Sequence, residues 1–124
     1  MNYIELNNET KNYVIGNADI IAKNDFNFYG AEFLSIHIQG NEVIFKVLTV
    51  DFKLFEFKMN KANIMDFEIS KEDSWFTDDD VISNILIAIE NEIVYSVAIS
   101  IKGGRDCRFM CNGLEIVNVE NYSK

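Results

Sequence analysis

Proline is absent from these 124 residues, and cysteine and histidine nearly so: the chain has two cysteines, Cys107 and Cys111, and one histidine, His37. Without proline, turns fall to Gly, Asn and Asp. A sole histidine excludes a multi-histidine metal centre and leaves one imidazole for any nucleophilic triad. Cysteines four residues apart on one strand sit about 13 Å from each other, too far to pair or to share an ion, so inert, reduced thiols are expected. No apolar run approaches the length of a membrane helix, about eighteen residues, and no basic stretch leads into one, so the sequence points to a cytoplasmic chain without a leader or membrane span. Positive charge is scarce as well. Eleven Lys and Arg stand against twenty Asp and Glu, a net charge of −9. That balance argues against a direct nucleic-acid binder and favours a basic partner.

What the chain has is apolar residues in short alternating runs. They make up 48% of it, including ten Phe and five Tyr, which suits one domain, residues 1–124, with a single core. In residues 33–39, Leu34, Ile36 and Ile38 alternate with Ser35, His37 and Gln39, the pattern of a half-buried antiparallel strand, and Gly40-Asn41 closes a hairpin. Val43, Phe45 and Val47 then alternate with Ile44, Lys46 and Leu48, and residues 52–58 follow as an aromatic-rich strand after Val50-Asp51. Large apolar groups on both faces of these two strands predict a cover on each side. Residues 64–70 put Met65, Phe67 and Ile69 opposite Asp66 and Glu68, a one-sided pattern expected near an edge.

In the second half, Ile93, Tyr95, Val97, Ile99 and Ile101 repeat with period two. Gly103-Gly104 turns the chain, residues 105–111 return, and Asn112-Gly113 carries the strongest hairpin signal before a last strand, irregular at Val117. Residues 78–90 admit two readings. Asp78, Asp79 and Asp80 before Val81, Ile82, Ile85, Leu86 and Ile89 suit an amphipathic helix with an acidic first turn, whereas residues 85–89 are also β-rich, and the strand is preferred there. The first thirty residues predict a small docking element of undetermined type. The expected fold is mainly β: a single domain of antiparallel meander strands forming a strongly curved sheet or small sandwich, with a short N-terminal element.

Catalytic and cofactor signals are mostly negative. Gly103-Gly104 runs into Arg105 and Asp106 instead of a spaced phosphate cradle, and His37 shares its strand face with Ser35 and Gln39, as a solvated surface histidine would. Asp66 and Glu68, about 7 Å apart on one strand, superficially resemble a glycosidase pair but read as a solvated face. The acids at 72, 73 and 78–80 do not follow the order of a calcium loop. No metal or cofactor is expected.

The segment 71–80 stands apart. Glu72, Asp73, Asp78, Asp79 and Asp80 surround the only tryptophan, Trp75, and Phe76. Either the rings tuck under the sheet as a lid with the acids solvated, or the seven residues form a contact for a basic protein, charge steering association and the rings supplying a hot spot.

A resemblance rests on the order Phe28-Tyr29-Gly30, the strand from Phe33-Leu34-Ser35-Ile36-His37-Ile38, the Gly40-Asn41 turn, the Phe-rich strand 52–57, the strand 63–67 and the closing Cys111-Asn112-Gly113-Leu114-Glu115-Ile116. In this order the chain resembles small acidic β-rich immunity proteins of bacterial polymorphic toxin systems. The resemblance implies a cytoplasmic, non-catalytic protein that binds and neutralises a toxin, and the charge suggests one of nuclease type. Two other readings are a small-molecule or carbohydrate-binding module with a pocket lined by Tyr95, Trp75 or Phe109, and an enzyme built on His37. Lys58, Lys61 and Lys71 near strand ends would guard sheet edges, giving a monomer or a weak homodimer.

Overall fold

The computed structural model describes residues 2–67, 81–102 and 105–122. Among these residues ten strands form two five-stranded sheets: β1 (Tyr3–Glu5), β2 (Ile15–Gly16), β3 (Glu32–Gln39), β4 (Glu42–Leu48), β5 (Lys53–Met59), β6 (Asn63–Phe67), β7 (Ile82–Glu90), β8 (Ile93–Ile101), β9 (Arg105–Met110) and β10 (Leu114–Asn121). The first sheet runs β1-β7-β8-β9-β6 and the second β2-β10-β5-β4-β3. All pairings are antiparallel except β2 with β10. The mainly β, single-domain sandwich expected from the sequence is thus present, and β7 settles residues 82–90 as strand.

The core lies between the sheets. Ile85, Ile99 and Cys107 form one cross-strand row of the first sheet and Ile87, Val97 and Phe109 the next, all fully buried. They face Val43, Phe45, Phe55, Phe57 and Met59 of the second sheet in one apolar cluster. Phe26 and Phe28 enter it from the connection ahead of β3 and meet Phe55 edge-on, with ring centroids 5.6 and 5.0 Å away. Such edge-to-face pairs add about 0.5–1.5 kcal/mol beyond area burial.

The N-terminal element consists of β1, a 3-10 turn (Lys11–Tyr13), β2 and the helix α1 (Ala18–Lys23). Asn17 caps α1, its side chain accepting from the amides of Asp19 and Ile20. Gly16 has φ +141, and a Cβ there would lie 2.7 Å from the Ile116 carbonyl oxygen. Only glycine lets β2 approach β10 this closely.

Several local expectations are corrected. The Asn112-Gly113 dipeptide makes no hairpin, because β9 belongs to the first sheet and β10 to the second. It is a sheet switch, and it docks on another switch, at residues 60–62: the Asn112 amide donates to the Asn60 carbonyl at 2.7 Å and the Asn60 amide to that of Gly113 at 3.3 Å. The meander is also interrupted, since β6 adds beyond β9 and β10 beside β5. In β3 a bulge between Phe33 and Ser35 makes Leu34 the extra residue, 38% exposed, so Phe33 faces the core in its place, while Ile36 packs against the core as the alternation predicts. A second bulge near Tyr95 leaves Ile93 exposed and Val94 buried, shifting the face predicted from period two. The outer face of β4 and β5 has no full cover: Ile44, Lys46, Leu54, Glu56 and Lys58 are half-buried there, with ion pairs Lys46–Glu56 at 3.7 Å and Lys58–Glu42 at 3.5 Å. The edge position of β6 and the irregularity at Val117 match the sequence reading.

Candidate functional site

The residues predicted to bind a partner, Glu72, Asp73, Trp75, Phe76, Asp78, Asp79 and Asp80, lie outside the described residues, as do Gly103 and Gly104. What flanks the first stretch is described. Phe67 at the end of β6 pairs with Cys107, and Val81 bridges to Glu32 at the start of β3. The Lys102 amide donates to the Val81 carbonyl at 2.9 Å, and the Lys102 ammonium sits 5.5 Å from the centroid of the Tyr29 ring.

Tyr29 begins an exposed apolar group at this end of the sandwich. The next residue, Gly30, donates to the Ile82 carbonyl at 2.9 Å. It abuts Val50, whose Cγ1 would lie 3.2 Å from a Cβ built on Gly30. Val50 belongs to the turn 49–52 joining β4 to β5, which also presents Phe52, and the Tyr122 amide donates to the Phe52 carbonyl at 2.8 Å. Tyr29, Val50, Phe52 and Tyr122 are 62%, 61%, 46% and 45% exposed. Exposed apolar groups gathered in this way mark contact surfaces more often than singly scattered ones do.

The turn has its own chemistry. Phe52 has φ 61, a left-handed conformation that costs a non-glycine residue about 1–2 kcal/mol and is rare for an aromatic one. Buried Thr49 holds it: the Thr49 amide donates to the Lys53 carbonyl at 2.9 Å, the Lys53 amide to Thr49 Oγ1 at 3.0 Å and the Phe52 amide to the Thr49 carbonyl at 3.0 Å. The Thr49 hydroxyl donates to the Asp51 carboxylate. A carboxylate and two large apolar side chains are thus displayed on a turn whose backbone is over-determined by hydrogen bonds. Sequence reading placed the connection at Val50-Asp51 and began the strand at Phe52, whereas β5 begins at Lys53; the signal missed was that Val50 and Phe52 occupy a tight connection where polar residues or glycine are the rule.

The other candidates are placed as follows. His37 is exposed on the outer face of β3 opposite Ile44, as the alternation predicts. Cys107 is fully buried; Cys111 is half-buried, its thiol donating to the Val94 carbonyl at 3.7 Å. Burial pushes the Cys111 thiol up from 9.0 to about 11, against a smaller lowering by the Gly113 backbone. Among the described residues no three His, Cys, Asp or Glu side chains gather as metal ligands. Of the rings proposed to line a ligand pocket, Phe109 is fully buried in the core, Tyr95 is half-buried, and Trp75 lies outside the described residues. An open groove of about 560 Å³ lies elsewhere, on the N-terminal element, lined by Asn8, Lys11, Val14, Ile15 and Ile21 among others. Its one cationic group is committed, Lys11 Nζ donating to the Asn24 carbonyl at 3.1 Å and lying 5.7 Å from the centroid of the Phe26 ring.

Comparisons with protein families, curated proteins and solved structures return no match to this chain.

Proposed function

We propose that this chain is a non-catalytic, acidic binding protein that neutralises a basic partner, a toxin domain of nuclease type being the partner class its charge suits. The observation that carries this reading is the exposed group of Tyr29, Val50, Phe52 and Tyr122, with Phe52 held in a left-handed backbone conformation, on a chain of charge −9. Strained residues persist where surrounding structure holds them, and they concentrate at binding and catalytic sites. A nuclease presents positive surface to phosphate. An acidic protein is steered to that surface, and rigid aromatic groups then supply short-range affinity.

The test is to mix the purified chain with the product of the adjacent gene and to follow complex formation and nuclease activity. The reading expects a stable complex, association that slows as salt is added, and loss of nuclease activity. No complex, or a complex that leaves activity intact, overturns it. Phe52→Ala should speed dissociation, whereas joint neutralisation of Glu72, Asp73, Asp78, Asp79 and Asp80 should slow association and flatten its salt dependence.

A further inference from the structure

We infer that Asn112 is a self-modification site that the fold holds latent. When the sheet switch at Asn112-Gly113 opens, the Gly113 nitrogen converts the Asn112 carboxamide to a succinimide, which water turns into aspartate or isoaspartate; while the switch is closed the reaction is blocked. Asn112 is the only asparagine of the chain followed by glycine. Glycine favours this chemistry because no side chain hinders attack by its nitrogen and its backbone rotates freely.

The reaction needs only the dipeptide and water. The Gly113 nitrogen loses its proton and bonds to Asn112 Cγ, while the Cγ–Nδ2 bond breaks and the carboxamide nitrogen leaves with that proton as ammonia. Water then opens the imide ring at one of its two carbonyls. Opening at Cγ restores the ordinary main chain with aspartate; opening at the main-chain carbonyl leaves isoaspartate, whose main chain runs through Cβ and Cγ. Either product adds one negative charge.

Exposure alone would make this site reactive, since Asn112 is exposed. The attacking residue is not. Gly113 is buried, and Ile15 of β2 lies against it, with Cδ1 2.8 Å from a Cβ built there. The Gly113 amide donates to the Val94 carbonyl of β8 at 2.9 Å. On either side the chain is clasped: the Cys111 amide donates to the Tyr95 carbonyl at 2.9 Å, the Asn112 amide to the Asn60 carbonyl at 2.7 Å, and the Asn60 amide to the Gly113 carbonyl at 3.3 Å. Attack requires the nitrogen to give up the proton that Val94 holds and to swing onto Cγ in a near-attack geometry. That swing breaks the clasp. The rate in the native chain is therefore set by the fraction of molecules in which this switch is open.

Opening is also one-way once the reaction has occurred. Isoaspartate places an extra main-chain carbon between the amides of residues 112 and 113, which are tied to Asn60 and Val94. A lengthened chain cannot remake both bonds without displacing β10 or β8. The dipeptide thus leaves a covalent mark on molecules that have opened.

Incubation of the purified chain at pH 8, in native buffer and in urea, followed by intact mass and by peptide mapping for isoaspartate, reads both rates. In urea Asn112 should convert ahead of every other asparagine, and in native buffer at least about tenfold more slowly, by the factor that the opening equilibrium sets. Exchange of the Gly113 amide in the native chain should be slowed by a similar factor, and small additions of urea should raise both rates together. Asn112→Gln, a change on an exposed side chain, should fold normally and abolish the fast conversion. The isoaspartate chain, returned to native buffer, should unfold at a lower urea midpoint than its parent. A native rate within about tenfold of the urea rate overturns the inference, as does a Gly113 amide that exchanges freely while Asn112 stays intact. Fast conversion that persists in Asn112→Gln would place the site elsewhere, and an unchanged midpoint in the isoaspartate chain would sink the one-way opening.

Discussion

Thr49 and Lys53 hold the β4–β5 turn shut from both sides: the backbone amide of each donates to the other, Thr49 to the Lys53 carbonyl at 2.9 Å and Lys53 to Thr49 Oγ1 at 3.0 Å. Thr49 is 3% exposed, so its hydroxyl has no water to fall back on. Thr49→Val keeps the shape and deletes that oxygen, leaving the Lys53 amide and the Asp51 carboxylate each short of a partner. The expected loss is about 1–3 kcal/mol, read from the urea midpoint at unchanged slope.

Phe52 offers a sharper test because its backbone and its side chain pull in opposite directions. Phe52→Ala and Phe52→Gly both remove the ring, but only glycine is at ease at φ 61. The glycine variant should therefore be more stable than the alanine variant by about 1 kcal/mol, despite the greater entropy of its unfolded chain. Both should bind the proposed partner less tightly, by about 2 kcal/mol or more if the ring is an anchor. Equal stabilities would remove backbone strain from the account, and equal affinities to the parent chain would remove Phe52 from the contact surface.

At the opposite sheet, the Tyr3 hydroxyl lies 2.8 Å from Ser96 Oγ, across the intervening strand β7. Ser96, fully buried, donates its proton to the Phe109 carbonyl at 3.0 Å, so Tyr3 is the donor in the outer bond. Tyr3→Phe should cost about 0.5–1.5 kcal/mol in thermal or chemical unfolding. Ser96→Ala should cost more, since it strips the tyrosine of its acceptor as well. The double variant should cost less than the sum of the two, and strict additivity would show that the pair does not couple.

The strands themselves were legible because alternation is a local property. The strand preferred at residues 85–89, the edge position of β6, the exposed His37 and the irregularity at Val117 all follow from side chains two or three apart, although β7 begins three residues earlier than that preference. Pairing between distant segments was not legible: β1 lies beside β7 and β10 beside β5 because closing the core demands it, and nothing within either strand records the neighbour. Asn112-Gly113 misled for a related reason. Gly113 does adopt φ +110, but a positive φ serves a sheet switch as readily as a hairpin. The bulges at Leu34 and Tyr95 each reverse a face that simple period-two counting assigns. The turn at Phe52 was hidden because intrinsic preference speaks against it, and such conflicts between local preference and fold are expected where function or strain is concentrated.

The last prediction concerns Cys111, whose thiol donates to the Val94 carbonyl at 3.7 Å and is held by burial at a pKa of about 11 in place of 9.0. The thiolate can make no such donation and loses solvation, so the folded chain keeps its proton over a range in which the unfolded chain gives it up. Between about pH 9 and pH 11 the native state therefore binds more protons than the unfolded state, and stability must fall as pH rises through that window, levelling above it. Below pH 9 the group contributes no slope. The comparison is with Cys111→Ala, which should unfold with a shallower decline across the same window. At pH 8 the native thiol should also react with iodoacetamide more slowly than the same cysteine in urea, because the thiolate is the nucleophile. Equal alkylation rates in the two states, together with parallel stability curves for the two chains, would show that burial does not control this thiol.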